Sequence, residues 1–352
     1  MVWPAHMSTK SREVEPLMSD QSEATTGADV LIVIPTLNEE AHIESVIAGL
    51  QADRRCSEAL IVVSDGGSSD RTVAIVECIA STDPRVRVLM TVERLSIGAS
   101  VNRAVECFGQ ERTWLVRLDA HAGYPEDYAS RLVAKAIETG ASSVVTPMFT
   151  RGETCFQRAA ATAQNSFLGT GGSAHRLPNR GGWVEHGHHA LFNLERFRKL
   201  GGYDSEFSED ADFDRRLIKS GAKIWLADDL VITYLPRSNT ISLFRQHLGY
   251  GRGRAHTFVR HGGRQRIRHF ILPSIAPIVI LGLLGPLYWP LILPASAWLL
   301  ACLLYGIVLG IRQKDICAAG SGYVSIVMQL AWSLGHWREI ITIRAHRLFR
   351  LS

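Results

Sequence analysis

With 352 residues the chain has room for one large soluble domain and something smaller beside it, and its net charge of +4 gives no reason to expect a nucleic-acid partner. The cysteines, Cys56, Cys78, Cys107, Cys155, Cys302 and Cys317, are scattered without a C-x-x-C pair. That pattern suggests neither a zinc site nor a disulfide framework and fits a reducing compartment.

Residues 1–28 are polar, lean acidic and contain internal Met7 and Met18. No charged n-region leads into an apolar h-region there, so no cleaved export signal is expected, and the segment reads as a disordered tail or a misplaced start. Val30–Ile34 is a short β-branched run ending at Pro35, and Leu60–Val63 is a second, ending near Asp65. Such runs are strands buried on both faces. Between them Ile43, Val46, Ile47 and Leu50 recur at helical spacing. Ser69 is placed to cap a helix carrying Val73, Val76 and Ile79, and Pro84 leads into a third strand, Val86–Met90. A helix over Gly98–Cys107 and a strand over Thr113–Leu118 follow. This alternation predicts an α/β fold, a mostly parallel, Rossmann-like sheet with helices on both faces.

Ligands of such sheets bind at the carboxyl ends of the strands. Three strands end there in polar clusters: Pro35-Thr36-Leu37-Asn38-Glu39, Asp65-Gly66-Gly67-Ser68-Ser69-Asp70 and Asp119-Ala120-His121. One aspartate after a strand is usually a turn or cap residue; three at neighbouring strand ends point to a site.

Beyond residue 150 the alternation weakens. Gly169–Ser173 and Asn179–Gly182 read as loops, Glu195–Leu200 as a short helix closed by Gly201-Gly202, and Asp210–Lys219 as a helix closed by Gly221. Ile224–Tyr234 reads as strand structure. His186, His188 and His189 invite a zinc reading, but no cysteine or H-E-x-x-H spacing supports it, and a strand would split them between two faces. An acceptor-site or core role is preferred.

Arg237–Arg268 holds eight arginines and no acid, as a patch facing anionic lipid would. Phe270–Gly310 then contains no charged side chain and is long enough for two passes of about 20 residues each. It reads as a helical hairpin, turning where Pro286 and Pro290 flank Leu287–Trp289, with Tyr288 and Trp289 at an interface. Arg264, Arg266 and Arg268 before it, and Arg312 and Lys314 after it, place both ends in the cytoplasm. A third apolar run, Ile316–Leu334, is interrupted by Gly320-Ser321-Gly322 and carries Gln329. Crossing would put Arg338, Arg344, Arg347 and Arg350 outside, which favours a re-entrant or in-plane segment.

The ordered motifs P-T-L-N-E-E (Pro35–Glu40), D-G-G-S-S-D (Asp65–Asp70), R-L-D-A-H (Arg117–His121), G-G-Y-D-S-E-F-S-E-D-A-D-F (Gly201–Phe213) and R-Q-H-L-G-Y-G-R-G-R (Arg245–Arg254) resemble glycosyltransferase family 2. The nearest likeness is to the succinoglycan-type glucosyltransferases of bacterial exopolysaccharide assembly. The resemblance implies a type-A glycosyltransferase domain over 29–240, with a nucleotide-sugar half (29–150) and an acceptor half (151–240). A basic juxtamembrane segment (241–268) and a membrane region (269–352) with two or three hydrophobic helices follow.

The same resemblance implies inversion at the anomeric carbon, with Pro35, Thr36 and Glu39 lining the nucleoside site and Asp65 contacting the base. Asp119 becomes the first carboxylate of a D-x-D motif whose second position is here His121. The two are the candidate ligands of a divalent cation, Mg²⁺ or Mn²⁺, on the donor diphosphate. Asp210 becomes the catalytic base, and Arg252 and Arg254 suit phosphate oxygens. The implied partners are a nucleotide-sugar donor such as UDP-glucose, a polyprenyl diphosphate-linked sugar acceptor and membrane lipid, at the cytoplasmic face of a bacterial inner membrane.

The chemistry agrees independently. Carboxylates at a diphosphate site require a cation between them, and a single inverting displacement needs one base for the acceptor hydroxyl. Two alternatives remain: a processive polysaccharide synthase, against which stands the lack of a tryptophan near Gln246 to make Q-x-x-R-W, and a non-catalytic nucleotide-binding membrane scaffold. A nucleotidyltransferase is disfavoured, since no Lys or Arg follows Ile34 before Arg54.

Overall fold

A computed structural model describes residues 27–91, 94–170, 181–204, 209–262 and 268–349. The expected N-terminal tail, most of the two loops expected within 169–182, residues 205–208 of the acidic motif, and Arg264, Arg266 and Arg350 lie outside the described residues.

The first half, residues 29–150, alternates as expected. Strands β1 (Val30–Thr36), β2 (Leu60–Asp65), β3 (Val86–Met90) and β4 (Trp114–Arg117) are separated by helices α1 (Ile43–Ala52), α2 (Thr72–Thr82) and α3 (Ile97–Phe108). A two-residue strand β5 (Ala122–Gly123), helix α4 (Tyr128–Thr139), strands β6 (Ser143–Thr146) and β7 (Met148–Thr150), and helices α5 (Cys155–Gln164) and α6 (Phe167–Thr170) follow. Then come β8 (Gly182–Val184), β9 (His188–Asn193), α7 (Leu194–Lys199), α8 (Glu209–Lys219), β10 (Ile224–Leu226) and β11 (Ile232–Tyr234).

The main sheet has the order β3-β2-β1-β4-β9-β6-β10-β8, and β5, β11 and β7 form a small second sheet. β1 is parallel to both β2 and β4. Its alternate residues feed two cores: Val30, Ile32 and Ile34 pack with α1 and α4, while Leu31 and Val33 pack with α3, α7 and α8. Phe192, Phe197, Tyr203 and Phe213 interlock in the second core at ring separations of 4.9 to 6.1 Å. Burying each phenylalanine there contributes roughly 2 to 3 kcal/mol.

The second half, residues 151–240, departs from strict parallel winding. β9 runs antiparallel between β4 and β6, pairing Leu191 with Val116 and Asn193 with Trp114. That register carries the start of β9 to the carboxyl end of β4, where ligands bind.

Five helices complete the chain among the described residues: α9 (Thr240–His261), α10 (Arg268–Gly282), α11 (Ile292–Gln313), α12 (Ile316–Ala319) and α13 (Ser321–Phe349). Helix α9 packs along α13 at glycine contacts so close that a Cβ on Gly251 would lie 1.9 Å from the Trp332 carbonyl oxygen, and one on Gly335 would lie 2.1 Å from that of Leu248. Pro277 has no N–H for the Pro273 carbonyl; Ser333 Oγ (2.9 Å) and Trp337 Nε1 (2.7 Å) donate to it instead, which docks α10 on α13.

Two sequence expectations change form here. Among the described residues, the segments long and apolar enough to cross a bilayer are Trp289–Gln313 and Ile316–Ala345, whereas the first leg of the expected hairpin contributes only the shorter apolar helix Phe270–Gly282. Gly320 separates only a four-residue helix from α13, so the third run is nearly continuous; it packs on α9 and, through Val324 and Met328, on Ala159 and Ala163 of α5.

The absence of a disulfide is also corrected: Cys155 and Cys317 are bonded, with Cα atoms 5.1 Å apart across 162 residues of sequence. Docking of α12 on α5 brings them together, a proximity that spacing cannot reveal. Arg158–Asp315 (2.6 Å) and Thr162–Gln313 (3.1 Å) line the same seam.

Candidate active site

The polar clusters at the ends of β1, β2 and β4 are laced together. The side chain of Asn38, at φ +57°, accepts from Ser69 N (2.8 Å), and its own N–H donates to Ser68 Oγ (2.8 Å). The Glu39 N–H donates to Thr72 Oγ1 (2.8 Å). Asp65 is 3% exposed, and its carboxylate accepts from Gly67 N (2.9 Å), Ser68 N (2.8 Å), Ser68 Oγ (2.5 Å) and Thr36 Oγ1 (3.2 Å). The positive φ of Gly67, +94°, lets the backbone curl around that carboxylate. Pro35, Thr36, Glu39 and Asp65 thus share one strand-end surface.

At the end of β4 stands a group to which the sequence motif gave no role. Arg117, 6% exposed, reaches Asp210 Oδ1 (2.5 Å) and Glu209 Oε1 (3.4 Å) through Nη1 and Asp119 Oδ1 (3.2 Å) through Nη2. Burial disfavours its charge, but Asp210, Asp119 and Glu209 outweigh burial and hold the guanidinium far above its ordinary range. Three clustered carboxylates require a cation, and Arg117 supplies one. An arginine inside an otherwise apolar strand was the signal available in the sequence.

The carboxylates respond in opposite ways. Burial and the neighbouring Asp210 push Glu209 up to about 6. Burial also works to raise Asp210, but Arg117 and then His188 overcome it and hold Asp210 well below the carboxylate range. Tyr203 OH donates to Asp210 Oδ1 (3.1 Å), and His188 Nδ1 lies 3.4 Å from Asp210 Oδ2. His188 and Tyr203, at the start of β9 and just after α7, are therefore site residues whose positions depend on tertiary pairing.

His121 Nδ1 bonds Glu39 Oε1 at 2.9 Å, and that bond raises the imidazole above its ordinary range. A carboxylate on Nδ1 leaves Nε2 for a ligand, the arrangement common behind metal-binding histidines. No group of three metal-ligating side chains occurs among the described residues. Asp119 and His121 could supply two ligands to a divalent cation, whose remaining ligands would have to come from a bound anion and water.

Toward the C-terminal helices, the edge of the His121 ring meets Tyr234 (5.8 Å between centroids), and Gln246 Nε2 on α9 donates to Tyr234 OH (2.9 Å). Tyr234, Gln246, Tyr250, Gln329 and Trp332 wall a cavity of about 170 Å³ between the α/β domain and these helices. Arg252, expected at phosphate, gives its Nε to Glu339 of α13 (3.0 Å), while Arg254 is exposed on α9.

The sequence matches the Glycosyl transferase family 2 profile over residues 31–201. It is 44% identical to the succinoglycan biosynthesis protein ExoA of Rhizobium meliloti over 325 residues, 92% of this chain and 98% of that protein. It is 29% identical to polyprenol monophosphomannose synthase of Mycolicibacterium smegmatis over 35% of this chain and 46% of that one. The fold is similar to the mannosyltransferase PcManGT of Pyrobaculum calidifontis, solved with GDP-Man and Mn²⁺, at a TM-score of 0.54 and 18% identity, covering 89% of this chain and 87% of that one. A type-A glycosyltransferase fold, strand-end acids in the expected order and a relative matched over nearly its whole length agree: the chain belongs to glycosyltransferase family 2 and is a glycosyltransferase.

Proposed function

We propose that the protein is a membrane-attached, inverting transferase of bacterial exopolysaccharide synthesis, moving glucose from UDP-glucose to a polyprenyl diphosphate-linked oligosaccharide at the cytoplasmic face of the inner membrane. The observation that carries this reading is the convergence of Asp119, Glu209 and Asp210 on Arg117 at the carboxyl end of the parallel strands. The near-full-length likeness to a succinoglycan biosynthesis protein supports the pathway class.

Pro35, Thr36, Glu39 and Asp65 line the nucleoside end, with Asp65 ordering the loop as well as facing the base. Asp119 and His121 would hold Mg²⁺ or Mn²⁺, which supplies charge neutralisation for the departing diphosphate. Arg252 and Arg254 on α9 contact phosphate oxygens, and the Nε of Arg252 also keeps α9 on α13. Asp210 accepts the proton of the attacking hydroxyl while Arg117 and Tyr203 fix its orientation. The apolar surface of α11, including Leu299, Leu303, Leu304 and Ile307, faces lipid, and the cavity beside Tyr234 opens the acceptor side of the site to the membrane helices. The test is incubation of the membrane-embedded protein with a panel of sugar nucleotides and lipid-linked acceptors, read by mass spectrometry. Addition of a single hexose from UDP-glucose is expected; a long polymer, or transfer from another donor only, overturns the assignment.

A further inference from the structure

The cavity between the α/β domain and the C-terminal helices is walled by three aromatic rings, Tyr234, Tyr250 and Trp332, and by three carboxamides, Gln164, Gln246 and Gln329. No Asp, Glu, Lys or Arg lines it among the described residues. Its volume of about 170 Å³ suits a single ring rather than an extended chain. Tyr234 belongs both to this wall and to the surroundings of His121, at 5.8 Å between ring centroids, so the cavity adjoins the strand-end site.

Two of the carboxamides are only half used. Gln246 Nε2 donates to Tyr234 OH (2.9 Å), but its Oε1 is buried and has no hydrogen-bond partner. Gln164, 7% exposed, accepts from Thr150 Oγ1 at its Oε1 (3.1 Å), and its Nε2 is left to donate. Gln329, by contrast, is engaged at both ends: Oε1 accepts from Trp298 Nε1 (2.8 Å) and Nε2 donates to the Leu168 carbonyl (3.3 Å), which holds α6, α11 and α13 around the cavity. A buried amide oxygen left unpaired is costly, so the ligand that completes this wall must donate a hydrogen bond to it. An ionised diphosphate only accepts and would lie here without a cation; an isoprenoid chain neither donates nor accepts. A hydroxyl does both. A pyranose carries hydroxyls on its rim and C–H faces that pack on aromatic rings, which matches a wall of rings and amides without charge.

We propose that this cavity is a subsite for a neutral sugar ring of the acceptor, on the membrane-helix side of the reacting hydroxyl. One ring hydroxyl donates to Gln246 Oε1, another accepts from Gln164 Nε2, and the apolar face of the ring lies against the aromatic wall. This rests on the reading of the chain as a transferase with a carbohydrate acceptor. The acceptor is then selected by a sugar near its carrier and not by the charge of the carrier. Gln164, Gln246 and Trp332 are specificity-determining residues that take no part in the chemistry. Because α13 supplies Trp332 and Gln329, the C-terminal helix completes the binding site as well as packing on α9.

The test uses the full-length protein in lipid nanodiscs. Octyl hexosides of differing ring configuration probe the sugar, and polyprenyl phosphate probes the carrier without a sugar. Binding is measured by calorimetry in the absence of donor, so failure of the donor assignment and failure of the subsite are separate results. At least one octyl hexoside is expected to bind, and to inhibit transfer in competition with the lipid-linked acceptor. Gln246→Leu should weaken that binding by about tenfold and raise the acceptor KM in proportion, with donor affinity within about twofold of wild type. No binding by any octyl hexoside, or equal binding by wild type and Gln246→Leu, overturns the subsite. A matching loss of donor affinity overturns it too, by giving the cavity to the donor sugar. Polyprenyl phosphate binding with the same dependence on Gln246 does so by giving the cavity to the carrier. Should Gln246→Leu fail to fold, Trp332→Phe, which keeps an aromatic ring, is judged by the same measurements.

Discussion

At the residue scale, the acidic pair at the start of α8 shows how one guanidinium divides neighbouring carboxylates into different roles. Removing the proposed base should harm chemistry more than binding, so Asp210→Asn is expected to lower turnover by about 10² to 10⁴ while calorimetry finds donor affinity within a few-fold of wild type. Glu209→Gln should cost less activity. Near-normal turnover in Asp210→Asn beside a dead Glu209→Gln would reverse the assignment. Glu209 also carries a stability signature. Its folded pKa of about 6 exceeds its ordinary 4.5, so its contribution is fully present below about 4.5 and is lost as pH rises through about 6. Glu209→Gln should therefore stabilise the protein by roughly 1 to 2 kcal/mol at pH 7.5 and leave it unchanged at pH 4, as thermal melts at the two pH values would show. For the cation, Asp119→Ala should abolish transfer. Full activity in excess chelator would rule out a metal at Asp119 and His121.

At the scale of elements, the antiparallel insertion of β9 completes the site, because it carries His188 to the carboxyl end of β4, beside the acids of α8. α9 continues the construction. Asp212 of α8, 1% exposed, accepts from Arg216 Nε (2.9 Å) and His261 Nε2 (2.7 Å) and lies 3.3 Å from Arg260 Nη1, which ties the end of α9 to the helix bearing Asp210. The other side of α9 is fixed by glycine. A methyl group at Gly251 or Gly335 meets backbone carbonyl atoms that cannot rotate away. Gly251→Ala and Gly335→Ala should each cost about 1 to 3 kcal/mol through separation of α9 from α13. A melting temperature in detergent equal to wild type for both would show that the seam is looser than this geometry.

At the scale of the molecule, the turn between α11 and α12 is fastened to the α/β domain by the Cys155–Cys317 bond, the Arg158–Asp315 ion pair and the Thr162–Gln313 hydrogen bond. Arg312 and Lys314 sit at this turn, so their charge agrees with the contacts of Gln313, Asp315 and Cys317 in placing the turn beside the α/β domain. A reporter or a thiol label placed after Lys314 should report that side. A signal from the opposite side of the membrane would break this topology, and with it the docking of α12 on α5.

The sequence by itself determined the parallel half: apolar β-branched runs interrupted by helical periodicity specify a buried sheet, and polar residues after each run specify its ligand end. The placement of Pro35, Thr36, Glu39, Asp65, Asp119, His121 and the acids of α8 was legible for that reason, since each lies at a strand end or opens a helix in a recognisable motif. Tertiary structure alone decided what those groups touch. Arg117 looked like one residue of a strand until Asp119, Glu209 and Asp210 closed around it, and nothing local to Arg252 announces its bond to Glu339 of α13. The Cys155–Cys317 pair and the His188–Asp210 contact depend in the same way on docking between segments distant in sequence. Periodicity reports which face of an element is buried, whereas partner identity is set by register and by packing between elements, which no local pattern encodes.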